Sequence, residues 1–224
     1  MHIEPGLVDS TKIVLSYATA ATGVAFAARV AFQHIRTEGL PSLVLRSAIA
    51  TVLVFVFFEV FPHMPVGVSE VHLILGSSLF LIFGVAPTAI GLVSGLLIQS
   101  LFLSPSDLPQ LGMNVTTLLA ALFAMQAVAR RIVPAHLAYV DLSYAHVFKL
   151  SLVFQGSIVT WVAFWTVYGQ GLSAATLQSV AVFGAAYMTV LLLEPLVDMA
   201  VLAGAKGLRG RPGSALLASR RLYA

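Results

Sequence analysis

The chain has 224 residues, of which 59% are hydrophobic and only 9% carry a charged side chain. Soluble domains have about 25% charged residues, so a water-soluble fold of this length lacks the charge to cover its surface. The net charge of +3 comes mainly from a basic C-terminus, and the absence of cysteine excludes disulfides, thiolate metal sites and thiol nucleophiles. The composition predicts a polytopic membrane protein and excludes nucleic-acid binding and cytosolic enzymology.

Uncharged apolar runs predict about seven transmembrane helices in an all-α bundle, which forms a single domain over residues 1–224. A spanning helix needs about 20 mostly apolar residues, or about 17 when short. The uncharged stretch 71–106 is too long for one helix, and Gly84 and Pro87 mark a break within it. The predicted spans are 13–30, 47–61, 73–83, 88–103, 111–129, 148–168 and 174–193, the last running on to about 203.

The distribution of Lys and Arg predicts the orientation. These residues are concentrated near the ends of the first and fifth predicted helices and in a basic tail, 204–224, whereas the loops 62–71, 104–110 and 169–173 contain none. Loops rich in Lys and Arg stay in the cytoplasm. Seven spans therefore predict a multi-pass protein of the cell (inner) membrane with its N-terminus outside and its C-terminus in the cytoplasm, whereas six would break the pattern.

Several catalytic signatures are missing. The sequence has no G-x-x-x-x-G-K-[ST], no H-E-x-x-H and no G-x-S-x-G, so we expect neither nucleotide hydrolysis nor an enzyme of these classes. The first residues also lack the cationic start and apolar core of a signal peptide. We therefore expect the mature chain to begin at Met1.

His2 is notable because it follows Met1 directly. A free α-amine, the peptide nitrogen of residue 2 and the Nδ1 atom of its imidazole can hold one metal ion with three nitrogens in a plane. A fourth nitrogen completes a square, which suits Ni(II) or Cu(II), and low-spin Co(II) could accept it too. His72, at the predicted outer mouth of the third helix, is the best fourth ligand, and Glu70 could orient its imidazole. The alternative is that His72 is only a polar cap at the membrane interface.

Two further groups leave alternatives open. His63, beside Met64, could be a ligand for an incoming ion or could be part of an ordinary loop. Glu194 and Asp198 lie four positions apart near the end of the last predicted span. They could be a release site or a docking patch, or they could be carboxylates that reach the interface beside Lys206 or Lys149.

Three sequence elements resemble one family. Met1-His2-Ile3-x-x-Gly6 opens the chain, His72 is followed by Phe83-Gly84, and Gln99-x-Leu101-x-Leu103 precedes Leu111-Gly112-x-Asn114. In these elements the chain resembles the cobalt and nickel substrate-capture (S) components of energy-coupling-factor transporters, the CbiM/NikM family. Family members commonly have Pro-Thr-Gly after the matching His, whereas this chain has Leu73-Ile74-Leu75.

The resemblance implies a site and partners. The ion, Co(II) or Ni(II), would be the transported substrate, bound by the Met1 amine, the His2 backbone and imidazole nitrogens, and His72. Asn114 matches a residue that helps to hold the N-terminal segment, here 1–11. The expected partners are a scaffold transmembrane (T) subunit and ATP-binding ATPase subunits. Cobalt would connect import to cobalamin biosynthesis, and nickel to urease.

Other functions are compatible with the same bundle. The chain could be a small-molecule S component or an unpowered permease, with its N-terminus only a loop. It could also be an accessory membrane subunit without a substrate. Bound metal distinguishes these alternatives from metal capture.

Overall fold

Long apolar helices form the frame of the molecule in the computed structural model, which describes residues 3–61, 63–210 and 214–223. Within these residues, six helical segments are long and apolar enough to cross a membrane. The helices are α1 (Val14–Glu38), α2 (Leu40–Glu59), α3 (Gly76–Phe83), α4 (Val85–Phe102), α5 (Leu111–Ile132), α6 (Tyr144–Gln170), α7 (Ala174–Met188), α8 (Glu194–Gly207), α9 (Ser214–Leu217) and α10 (Arg220–Tyr223). Short 3₁₀ turns occupy Pro105–Gln110, Tyr139–Asp141 and Thr189–Leu192. The predicted all-α membrane bundle is confirmed.

A short antiparallel hairpin follows α2. Its strands are β1 (Met64–Val66) and β2 (Ser69–Val71), and Gly67 makes the turn with a φ of 63°. Ile3 forms an antiparallel bridge with Ser69, so the hairpin also binds the start of the described chain. The sequence predicted only a loop without Lys or Arg here, because strands of three residues leave no readable alternation.

The bundle has two ends. We call one the hairpin end, where the hairpin meets residues 3–4 and α7, and where Leu7 contacts the last turn of α6. We call the other the arginine end, where α1 finishes, α2 starts and residues 214–223 pack. There the Arg46 guanidinium binds Glu38 at 2.8 Å and donates to the carbonyl oxygen of Leu216 at 3.0 Å.

Residues 72–83 link the two ends, although α3 alone is too short to do so. Its eight residues give about 12 Å of helix at 1.5 Å per residue. Its last turn lies at the arginine end, where the Ser219 amide donates to the carbonyl oxygen of Ile82 at 2.7 Å. Residues 72–75 lead into it from the hairpin without helical structure and cover the remaining distance. The chain thus passes through the bundle seven times, but among the described residues six helices, not the predicted seven, are long enough to cross a membrane. The third passage is only partly helical.

Small residues let the central helices approach closely. A Cβ atom on Gly91 of α4 would lie 2.6 Å from the Cβ of Ala50 on α2, and one on Gly95 would lie 2.6 Å from a methyl of Val54. Such contacts are typical of membrane bundles, where close packing replaces the hydrophobic effect between helices.

The last passage through the bundle is broken. Residues 174–203 were predicted as one continuous helix, and this is wrong, because the 3₁₀ turn Thr189–Leu192 separates α7 from α8. Pro195 lies in the first turn of α8, where its missing N–H leaves no helical bond unmade. In a continuous helix the same proline would remove a hydrogen bond and clash with the preceding turn. The break places Glu194 at the start of a new helix.

Candidate metal site

His72 lies directly after β2, at the point where the chain leaves the hairpin for α3. Its side chain is fully buried, and its Nε2 atom lies 2.8 Å from a carboxylate oxygen of Glu70, which is 26% exposed. The carboxylate thus fixes the plane of the imidazole from the side that faces solvent. The structure brings these two residues together as a hydrogen-bonded pair at the hairpin end.

Two rings enclose the His72 imidazole. Phe58 meets it edge to face with the ring centroids 5.4 Å apart, and His63 stacks on it at 5.0 Å with an interplanar angle of 12°. The strand register explains the second contact, because pairing of Met64 with Val71 places the preceding and following residues opposite each other. His63 is exposed, and its Nδ1 lies 3.4 Å from the carbonyl oxygen of Phe61.

Asn114 lies on α5, across the bundle interior from the hairpin. It is fully buried, and its Oδ1 accepts a hydrogen bond from the Ile3 amide at 3.1 Å. This contact joins residues 111 positions apart. The Asn114 Nδ2 atom is also buried and has no hydrogen-bond partner among the described residues.

The N-terminal segment is held at several points. Ile3 is fully buried, and the Glu4 amide donates to the carbonyl oxygen of Val68 at 3.2 Å. Further along, Leu7 packs so closely against Gly169 that a Cβ there would overlap the Leu7 carbonyl oxygen. Residue 3 is therefore fixed between α5 and the hairpin. Met1 and His2, the other proposed ligands, lie outside the described residues.

Asp9 ends this segment before α1. Its carboxylate accepts hydrogen bonds from the Thr11 side chain and from the backbone amides of Thr11 and Lys12. The Thr11 hydroxyl and the Lys12 amide lower the pKa of Asp9. The charged form is thus favoured by the turn that leads into the first helix.

Histidines and carboxylates do not gather in groups of three among the described residues. Within residues 3–61, 63–210 and 214–223 there is no cluster of three or more His, Cys, Asp or Glu side chains able to hold an ion. His34, at the arginine end, is buried beside Ser42 and Glu38 and lies apart from His72. Among the described residues, His72 therefore belongs to no such cluster.

The two carboxylates of α8 lie inside the bundle and not at the membrane interface. Glu194 and Asp198 are fully buried, so the interpretation that they reach the interface beside a lysine is wrong. Lys206 instead binds Asp141 at 2.6 Å, and this hydrogen bond lowers the pKa of the Asp141 carboxyl. The physical reason is the helix break, which turns the start of α8 toward α3 and α6.

Comparisons with known proteins place this architecture. The sequence model of the CbiM family, described as the cobalt uptake substrate-specific transmembrane region, matches residues 2–210. A crystal structure described as a transition metal transporter is similar, with a TM-score of 0.70 and 19% identity over 93% of each chain. One described as a truncated transition metal transporter has a TM-score of 0.64 and 19% identity over 93% of this chain and 97% of the other. No curated protein sequence matches significantly.

Proposed function

Because the chain belongs to the CbiM family of cobalt-uptake transmembrane regions, we propose that it captures Co(II) or Ni(II) for an ATP-driven energy-coupling-factor importer. In this role it binds the ion and hands it on, and it catalyses no reaction itself. A scaffold transmembrane subunit and ATPase subunits complete the importer. The missing nucleotide-binding motif in this chain agrees with a separate ATPase.

The proposed ligands are the Met1 α-amine, the His2 peptide and imidazole nitrogens, and His72. One observation carries this assignment: the Ile3 amide donates to buried Asn114 at 3.1 Å while Ile3 itself is fully buried. A terminal segment with no role in the interior has no reason to bury its third residue between α5 and the hairpin. Four nitrogens in a plane suit Ni(II) and low-spin Co(II).

Two neighbouring side chains support capture at His72. Glu70 accepts a hydrogen bond from the imidazole at 2.8 Å, and such a partner fixes the tautomer and raises the basicity of a metal-ligating histidine. We assign exposed His63, stacked on His72, as the first contact for an ion that arrives from solvent. Its open position and imidazole chemistry fit a transient ligand better than a permanent one.

The direction of transport follows from charge. Arg36, Arg46, Arg130 and Arg221 lie at or near the arginine end, which we therefore assign to the cytoplasm. The hairpin end then faces outward, with the N-terminus on that side and the C-terminus inside. Capture at His72 would take the ion from outside the cell.

The test is metal analysis of the purified full chain with a C-terminal tag. We expect one Co(II) or Ni(II) per chain at neutral pH, with binding that weakens on acidification because the nitrogen ligands must lose protons. Insertion of one glycine between Met1 and His2 changes the chelate rings and should abolish tight binding. H72A should lower the affinity by at least about 100-fold, above the 10–100-fold typical for lost supporting groups.

H34A and H136A are the matched controls. His34 is another buried histidine and His136 is an exposed one, and both lie away from the hairpin end. Both should keep wild-type stoichiometry. Unchanged binding after the glycine insertion would overturn the terminal chelate, and binding unchanged in H72A would remove His72 from the site.

A further inference from the structure

Two carboxylates lie side by side in the interior of the bundle. Glu194 and Asp198 are one helical turn apart on α8, and neither side chain is exposed. Ser77 donates to one oxygen of Asp198 at 2.6 Å and Ser78 donates to the other. We call the two carboxylates the acid pair. The surrounding cluster is formed by side chains from α3, α6 and α8.

The neighbours of Glu194 come from α6. The Ser151 hydroxyl and the Gln155 side-chain amide each donate to its Oε2 atom at 2.6 Å. Ser151 and Ser77 also lie 3.4 Å apart, which closes the ring of oxygens between the two carboxylates. The acid pair is thus surrounded by hydroxyl and amide groups.

No positive side chain among the described residues forms an ion pair with Glu194 or Asp198. Among the described residues, the carboxylates of Glu38, Glu70 and Asp141 each meet an arginine, histidine or lysine, whereas Glu194 and Asp198 form no such ion pair. Charges buried in a low-dielectric interior are paired, neutralised by protons or bound to metals. The acid pair therefore needs positive charge from outside the described side chains.

Two acceptor oxygens of the cluster lack a hydrogen-bond donor among the described residues. The Oε1 atoms of Glu194 and Gln155 are buried and have no hydrogen-bond partner in the part of the chain that the structure describes. Because the Gln155 amide nitrogen binds Glu194, the unmatched carbonyl of the same amide group belongs to this cluster too. Two neighbouring acceptors without a donor are costly in an interior, and a bound cation would satisfy both.

The acid pair also lies along the third passage of the chain. Ser77 and Ser78 are in the first turn of α3, a few residues after His72, and the other end of α3 reaches the arginine end. The broken helix α7–α8 begins its second half at Glu194. Transporters commonly place ion sites where membrane helices are interrupted near mid-depth.

From this arrangement we propose that the acid pair is a transit site for the transported divalent metal ion, between His72 and the arginine end. The inference rests on the proposed function. Its ligands are the carboxylates of Glu194 and Asp198, the serine hydroxyls and the Gln155 carbonyl. An all-oxygen set binds late first-row ions more weakly than a nitrogen chelate does, which suits release rather than capture.

The test separates the two sites with Co(II) as the probe. In H72A, tight binding should be lost and one weaker Co(II) should remain, with the faint absorption of an oxygen-ligated ion. In H72A/D198N and H72A/E194Q, this residual affinity should fall by at least about tenfold, as for loss of coordinating or supporting groups. Mg(II) in excess should compete at this weaker site and leave the tight site of the wild-type chain unaffected.

H72A/D141N is the matched control, because Asp141 is an acidic residue away from the acid pair, and it should keep the residual site. H72A/S151A removes one hydroxyl and leaves both carboxylates in place, so it should weaken the residual binding less than D198N or E194Q does. It serves as the second variant if either carboxylate substitution lowers the yield of folded protein in size-exclusion chromatography.

Each failure has a distinct signature. A wild-type chain without tight binding would overturn the proposed function. Tight binding in the wild type with none left in H72A would overturn the transit site and leave capture intact. If Glu194 is instead protonated and donates a hydrogen bond to Gln155, protons alone neutralise the acid pair, and H72A should then bind no Co(II). Residual binding unaffected by D198N and E194Q would also overturn the proposal.

Discussion

The surroundings of His72 and the acid pair are built in opposite ways. At the hairpin end, Glu70 is partly exposed and pairs with an imidazole, and the region is held by backbone contacts of residues 3–8. In the interior, Glu194 and Asp198 are fully buried and meet hydroxyl and amide groups carried by packed helices. The first region is therefore held in place by a chain segment outside the helices, and the second by side chains on packed helices.

This difference suggests a division of labour. A nitrogen-rich site that depends on a terminal segment can close around an ion after it arrives. An oxygen-rich site fixed by α3, α6 and α8 offers a constant but weaker environment. Substitutions at the hairpin end should therefore change tight metal binding strongly while leaving the weaker Co(II) binding expected in H72A unaltered.

Among substitutions outside the proposed ligands, the largest effect is expected for G169A. A Cβ at this position would overlap the carbonyl oxygen of Leu7, so residues 7 and 8 must move away from the end of α6. Such overpacking typically costs about 1–3 kcal/mol of unfolding free energy. Displacement of the terminal segment by about 1 Å should lower the Co(II) affinity by about 100-fold.

G156A is the control for that change, since it lies on the same helix and a Cβ there meets no atom within 4 Å. It should leave both thermal unfolding and Co(II) titration at wild-type values. If G169A and G156A behave alike, the contact between Leu7 and α6 does not position the site.

The second largest effect is expected for N114A. It removes the acceptor of the buried Ile3 amide, and an unsatisfied buried donor costs about 1–3 kcal/mol. We expect a loss of Co(II) affinity of about 10–100-fold, as for groups that orient metal ligands. T117V provides the comparison, because the Thr117 hydroxyl is buried on the same helix but binds only its own backbone at Met113. Isothermal titration of both variants should give clearly different affinities.

Much of the fold was predictable from local patterns. Long uncharged runs identified the passages through the bundle, and the distribution of arginines required seven of them. Seven passages require a break between the third and the fourth, and the chain turns there at Gly84, which has a φ of 85°. The third passage was harder to predict, because residues 73–75 are as apolar as those of a membrane helix but are not helical. Leu75 has a φ of 53° there, a left-handed conformation that L-residues rarely adopt and that no apolar pattern indicates.

The candidate site was predictable only in part. The roles of Met1, His2 and His72 came from resemblance and chelate geometry and remain proposals. The neighbours of Glu194 and Asp198 could not be read from sequence, because Ser77 and Ser78 lie 121 and 120 positions from Asp198. Pro195 is the local signal for the break in the last helix, but the long apolar run around it favours a continuous helix.

A smaller effect is expected for E70Q. Glutamine keeps an acceptor for the His72 imidazole but removes the charge that raises its basicity. The Co(II) affinity should fall by about tenfold, the lower limit for such partners. E59Q, near the same end on α2, should leave the affinity unchanged. An equal loss in both variants would mean that general negative charge, rather than the contact with His72, attracts the ion.

The smallest effect is expected for D141N, at the arginine end. The hydrogen bond from Lys206 lowers the pKa of Asp141 below its ordinary value of 3.8, with Arg209 adding a weaker attraction. A lowered pKa means that the contribution to stability is present above pH 3.8 and disappears as the pH falls through the folded-state value. The wild type should therefore have a slightly higher melting temperature than D141N at neutral pH and the same melting temperature in strong acid.

Because the contact between Lys206 and Asp141 is exposed, added salt should also remove this difference in melting temperature, whereas the buried surroundings of Asp198 should be insensitive to salt. A salt-independent difference would show that Asp141 supports α8 through packing, and would weaken the contrast between a screened end and an unscreened interior.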